Sequence, residues 1–193
     1  METILAICAG IGLSAACGFR IFVPLLVLSI GALSGHVQLS SEFQWIGSYP
    51  AVIAFGLATI LEITAYYIPW LDHFLDTITT PAAVIAGILV SVSMVNEMSP
   101  FMKWIVAVIA GGGTAGVVQL ATVGLRGFSL GSTGGVANPV VATAELGGSI
   151  FTSLFAVFAP VIAILLLITF AIIWARRNSN RRNASMPLPR TSV

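Results

Sequence analysis

The chain has 193 residues, 58% of them hydrophobic and 8% charged, with a mean hydropathy of +1.03. A soluble domain carries about 25% charged residues, so no water-soluble fold of this length accommodates the composition and a bilayer must act as the solvent. The net charge of +1 hides an asymmetry: five of the eight basic residues (Arg176, Arg177, Arg181, Arg182 and Arg190) lie in the C-terminal tail, where they read as a cytoplasmic anchor rather than a nucleic-acid contact.

In chain order, six apolar stretches appear. The first runs from Thr3 to about Leu33, interrupted by Gly18-Phe19-Arg20 and by Pro24. It lacks a basic leader and carries Glu2, so it reads as a mature span and not a signal peptide. As one helix it would be about 46 Å long, too long for a ~30 Å hydrocarbon core, so it must tilt, kink or break near Gly18–Pro24. Cys8 and Cys17 fall on opposite faces of such a helix and read as small packing residues. The second stretch runs from Pro50 to Ile68, the third from Pro81 to Val95 and the fourth from Lys103 to Leu125. The fifth and sixth share Pro139–Ala175, split at Pro160.

Between them lie a loop without Lys or Arg (35–49), a short amphipathic piece (69–80), a connector (96–103) and a Gly/Ser-rich loop (126–138) ending on Asn138-Pro139, a helix start signal. The tail 178–193 is polar and proline-containing and is expected to be disordered. The positive-inside rule puts the C-terminus in the cytoplasm. Six spans then place the N-terminus and Arg126 there too, with loop 35–49 outside. The expected fold is an all-α integral membrane protein, a single transmembrane domain over residues 1–177 with about six helices. AGIG (9–12) answers AGGG (110–113), and the proline-framed run 50–69 answers 139–160. The halves 3–97 and 103–175 therefore read as inverted three-helix repeats with broken or re-entrant segments.

GFRIFVPLLVLS, ATILEITAYYIPWLDHFLDTITTPAAVIAG and GGVANPVVATAELGG resemble a family of bacterial membrane proteins grouped as domain of unknown function 4126. The resemblance covers the chain up to about residue 175. It implies a bacterial inner-membrane protein and carries no particular activity.

Chemistry is concentrated in a few residues. Glu62 and Glu145 stand inside apolar runs, and a carboxylate at bilayer depth costs roughly 2.5–3.5 kcal/mol even on a mild insertion scale. Glu62 is about 18 Å from Pro50 along its helix and Glu145 about 9 Å from Pro139, which in the six-span arrangement puts both in the cytoplasmic half of the core. A shared site would let such carboxylates exchange protons for a cation; the alternative is that each is protonated or paired with an arginine and serves packing. Arg20 needs an anion, a carbonyl cage or a carboxylate partner if it lies in the membrane, unless it snorkels. Asp72, His73 and Asp76 form D-H-x-x-D, two carboxylates on one helical face with an imidazole, either a cytoplasmic vestibule or a solvated face. Tyr66 and Tyr67 fit a hydrogen bond to Glu62 or an aromatic belt. Gly112 and Gly116 fit small-xxx-small packing. Gly131, Gly134 and Gly135 precede Asn138, whose helix N-terminus suits an ion.

No H-E-x-x-H, P-loop or Cys/His metal set occurs, and no cofactor is called for. The sequence therefore reads as a small carrier or channel for a cation or small polar solute, with proton coupling open to the carrier. In it Glu62, Glu145, Arg20, Asn138 and Tyr66 form the ion or substrate site, and Asp72, His73 and Asp76 the vestibule. Two other readings stand beside it: a flippase-like protein gripping lipid phosphate with Arg20 and Arg126, and an intramembrane enzyme acting on a lipid head group through Asp72 and His73. A homodimer fits the small polar volume that six short helices enclose.

Overall fold

The computed structural model describes residues 2–67, 69–160, 162, 165, 168, 169, 172 and 173, without the side chains of Glu2 and residues 69–76. Among these residues all regular structure is helical: α1 (Glu2–Phe19), α2 (Phe22–Leu33), a 3-10 helix (Ser41–Gly47), α3 (Tyr49–Ala65), α4 (Pro69–Met94), α5 (Pro100–Val106), a π-helical stretch (Ala107–Gly112), α6 (Gly113–Thr133) and α7 (Asn138–Phe158). Three helical stretches are long and apolar enough to cross a bilayer: Thr77–Met94, Pro100–Thr133 and Asn138–Phe158. A fourth is added if the 3-10 helix and α3, bent by 65° at their junction, count as one broken span. These helices are compatible with a membrane protein.

The first apolar stretch does break where its glycine, arginine and proline predicted. Helix α1 ends at Phe19 and α2 begins at Phe22. The direction of the second piece departs from the single-span expectation. The start of α1 lies beside the end of α4, with the Thr3 hydroxyl 2.5 Å from a Glu97 carboxylate oxygen. The other end of α1 meets α7, where Arg20 reaches the Ala142 carbonyl. From there α7 runs back, and the Gly31 backbone near the end of α2 packs against Val157 near the end of α7. The chain thus doubles back at Arg20-Ile21, and residues 3–33 form a helical hairpin. Thr3, His36 and Glu97 line one cavity of about 360 Å³, so the start of α1 and loop 35–49 share an end of the molecule rather than lying on opposite sides. Below, this is the His36 end and the hairpin tip defines the Arg20 end.

Helix α1 is the centre of the bundle and packs against α4, α6 and α7, while α2 packs on α3 and α7. Small side chains permit this. Leu13, Ser14, Ala15, Ala16 and Cys17 are fully buried, and Ser14 donates within reach of the Gly10 and Gly87 carbonyls, both at 2.7 Å, with the Ser91 hydroxyl at 3.0 Å. A Cβ on Gly18 would lie 2.6 Å from the Ala115 carbonyl oxygen, and one on Gly111 would lie 2.7 Å from the Gly87 carbonyl oxygen. The packing reading of Gly112 and Gly116 holds: they face Ile88 and Val84 of α4. Large apolar side chains point outward instead, among them Leu57, Leu61, Ile109, Val117, Leu120 and Phe151. Small and polar inside with large and apolar outside is the pattern of helices that associate in lipid by close packing and hydrogen bonds.

Two other boundaries differ from expectation. Residues 69–80 are not a separate interfacial piece but the first half of α4, which continues through Pro81. The loop expected at 126–138 is helical to Thr133, closed by Gly134 at φ +64°, a left-handed C-terminal cap that suits glycine. Asn138 opens α7 as its first residue, one place after the cap at Ala137. The helix does end at Phe158, before Pro160. Most of the expected sixth span and all of the tail 178–193 lie outside the described residues.

Tags at the N-terminus and in loop 35–48 are expected to report the same side of the membrane; opposite sides would restore a single span over 3–33. In the bundle, Gly111→Ala is expected to lower stability by about 1–3 kcal/mol, the usual cost of overpacking, whereas Gly124→Ala, with nothing within 4 Å of the added carbon, is expected to leave detergent melting unchanged.

Candidate functional site

A hairpin tip inside an apolar bundle exposes two helix ends at once, and each end carries unsatisfied backbone groups. The α1 end is closed by its own chain and by α7. The Ala16 carbonyl accepts from the Arg20 amide at 3.1 Å and from the Ser149 hydroxyl at 3.1 Å. The α2 end is closed by a carboxylate from α3. One Glu62 oxygen accepts the Ile21 amide at 2.7 Å and the other accepts the Phe22 amide at 3.0 Å. Ile21, the cap residue, has no side-chain cap of its own, and Pro24 in the first turn brings no N–H, so fewer donors need partners. The pairing also matches the helix dipoles: an anion sits at the positive end of α2.

Arg20 lies in the link between the two helices and reaches α7. It is 2% exposed. Its Nη2 donates to the Ala142 carbonyl at 2.9 Å and lies 3.7 Å from a Glu145 oxygen. Among the described residues its Nε and Nη1 have no hydrogen-bond partner. Glu145 is also held by Arg126, whose Nε donates to one carboxylate oxygen at 3.0 Å and whose Nη2 contacts the other, a two-point pairing that suits the planar guanidinium. Both guanidinium groups lie against the ring of Tyr66, with their central carbons 3.8 Å (Arg20) and 4.1 Å (Arg126) from its centroid. The electron-rich ring and the shared carboxylate offset the repulsion between two like charges. The Tyr66 hydroxyl donates to Thr79, and Gln119 donates to the same oxygen, each at 3.3 Å.

The result is a layer of buried groups from α3, α6, α7 and the α1–α2 tip. Glu62, Glu145, Arg20 and Tyr66 converge there, and the two carboxylates stand at the same level of the bundle, as their distances from Pro50 and Pro139 implied. They do not face each other as a bare pair, however. Glu62 is engaged by backbone amides and Glu145 by arginines. Tyr66 is buried under the arginines rather than in an aromatic belt; Tyr67 is the exposed one and its hydroxyl meets Thr143 at 2.9 Å. Asn138 stands about 10 Å along the α7 axis from Glu145. Asp72, His73 and Asp76 belong to the first turns of α4, and their side chains lie outside the described residues. Among the described residues no cluster of His, Cys, Asp or Glu could hold a metal ion.

Arg126 is the main addition. The sequence places it in a cytoplasmic loop, as a marker of topology, and gives it a chemical role only as a grip for lipid phosphate. The signal was available: Gln119, Thr122, Arg126 and Ser129 recur at three- and four-residue spacing and all are buried on α6. Ala142, Glu145, Ser149 and Ser153 do the same on α7. In an apolar chain a polar stripe marks the inward face.

A family model described as a domain of unknown function (DUF4126) matches residues 7–178. The chain belongs to this family. No curated protein and no solved structure matches it.

Removing one member of a buried ion pair strands the other. Glu145→Ala and Arg126→Ala are each expected to destabilise the DUF4126 protein by about 3–5 kcal/mol. The pair at the His36 end, Lys103 to Glu42 at 3.5 Å, has its carboxylate side chain 66% exposed, and Glu42→Ala is expected to lower the melting temperature far less than either. Detergent melting of the three variants checks the order.

Proposed function

We propose that this protein is a small carrier or channel for an ion or small polar solute, with the hairpin tip as its central polar site. The observation that carries this reading is the break at Arg20-Ile21 within an otherwise apolar bundle. Broken helices inside a membrane place backbone dipoles at solutes, and intramembrane ionisable residues mark solute paths. Packing alone is served by small residues, as along α1, and has no need of two arginines and two glutamates in one layer. The side chains best suited to the task are Arg20, Glu62, Arg126, Glu145 and Tyr66. A cation would have to take a carboxylate away from internal donors, so the solute is more readily received by the guanidinium groups and the α2 terminus than by a bare carboxylate pair.

We read the site as lying in a bacterial inner membrane with the basic tail in the cytoplasm, following the positive-inside rule. Inverted repeats remain part of this proposal; with residues 3–33 as a re-entrant hairpin in the first half, five of the six apolar stretches are left to cross. Purified protein in proteoliposomes, assayed for flux of sodium, potassium, protons, chloride and nitrate, tests it. The expected result is flux of at least one ion that falls tenfold or more in Arg20→Gln while the variant still reconstitutes. No flux of any of these ions, or flux indifferent to Arg20 and Glu62, would end the carrier reading.

A further inference from the structure

We propose that the N-terminus of α2, together with Arg20, is a site for a small inorganic anion whose resting occupant is the Glu62 carboxylate. The proposal deepens the carrier reading and rests on it for the passage of the anion; the site itself is defined by binding.

Three observations lead there. First, the place Glu62 occupies is built from the Ile21 and Phe22 amides, at 2.7 and 3.0 Å, at the start of a twelve-residue helix. Amides at a helix N-terminus bind any compact anion, because the donors and the dipole recognise negative charge and not a particular side chain. Second, the occupant is tethered elsewhere. Glu62 belongs to α3, and its rotation away would free both donors at once. Third, the adjoining residue keeps unused donors. Arg20 precedes Ile21 in the chain, is 2% exposed, and leaves Nε and Nη1 without a hydrogen-bond partner. A buried guanidinium with unmade bonds is costly in a structural role and suited to receiving an anion. Arg20 and Arg126 both act electrostatically on Glu62, so an anion that replaced the carboxylate would keep the same positive surroundings. Glu145 does not offer an equivalent exchange, since its partners are side chains on which it is held at two points.

The preferred ligand is monovalent and small, of the chloride or nitrate kind. It replaces a single carboxylate charge, and a larger polyanion would need more donors than the two amides at this terminus. No bond is made or broken; one anion exchanges for another.

The test is melting of the full chain in detergent at constant ionic strength, with nitrate or chloride replacing gluconate. Glu62→Ala is expected to gain a saturable, anion-dependent rise in melting temperature that exceeds the wild-type response, because the ligand binds the folded state. Adding Arg20→Gln is expected to abolish the gain. Glu62→Gln serves as a second variant, since its amide oxygen accepts one backbone N–H while its NH2 meets the other donor. If Glu62→Ala folds only when chloride or nitrate is present, that rescue supports the site. A Glu62→Ala and a Glu62→Gln that melt identically in gluconate, chloride and nitrate overturn the proposal, as does a rise that survives Arg20→Gln. Failure of both variants to fold in any of the salts also overturns it, leaving Glu62 as a helix cap only. The two readings fail separately: sodium, potassium or proton flux with no anion-dependent melting sinks the anion site, and anion-dependent melting without flux of any ion sinks the carrier.

Discussion

The fold depends on one constraint: a helix cannot end inside an apolar bundle unless its terminal backbone groups find partners. The chain ends two helices within three residues, at Phe19 and Phe22. Every element around that point answers the need. Helix α3 contributes a carboxylate to the α2 amides, α7 contributes a hydroxyl to an α1 carbonyl, and Arg20 between them requires a carbonyl and a carboxylate from α7. Arg126 of α6 then completes Glu145. Arg20, Glu145 and Arg126 are coupled in series, so none of these three can be removed without stranding a neighbour.

This arrangement changes what the two glutamates are for. Isolated in the sequence, they look like ligands awaiting a cation. In the fold each already holds donors, and Arg20, a cation, has donors left over among the described residues. The proposed preference for an anion rests on that difference. Glu62 and Glu145 also differ from each other. Backbone amides fixed on α2 hold the first, so its departure exposes a formed anion cradle. Two side chains, themselves attracted to each other's partner, hold the second.

The close-packed waist beneath the tip gives the layer its rigidity. Gly18, Gly87 and Gly111 let α1, α4 and α6 approach until backbone meets backbone. The π-helical stretch Ala107–Gly112 lies at this contact and lets a 34-residue helical run alter its phase while remaining apolar on its outer face. Rigid packing below and a hairpin tip above place four charged side chains in one plane without opening the bundle to the large apolar side chains outside.

The amino-acid sequence by itself determined the class of the protein, its helical stretches, the breaks at Gly18–Pro24 and before Pro160, and the two carboxylates and one arginine that an apolar chain would not carry without cause. Those follow from composition, proline and glycine chemistry and the cost of buried charge, which are local properties. Only the tertiary structure decided that residues 3–33 turn back on themselves, because a broken helix has no local preference for continuing or reversing; packing of α2 on α3 and α7 sets its direction. It alone joined Arg126 to Glu145, since α6 outlasts its glycines and seryl residues when its polar stripe finds α7 to face. And it alone assigned Glu62 to the α2 amides, a contact between residues 41 and 40 positions apart that exists only once the hairpin has closed.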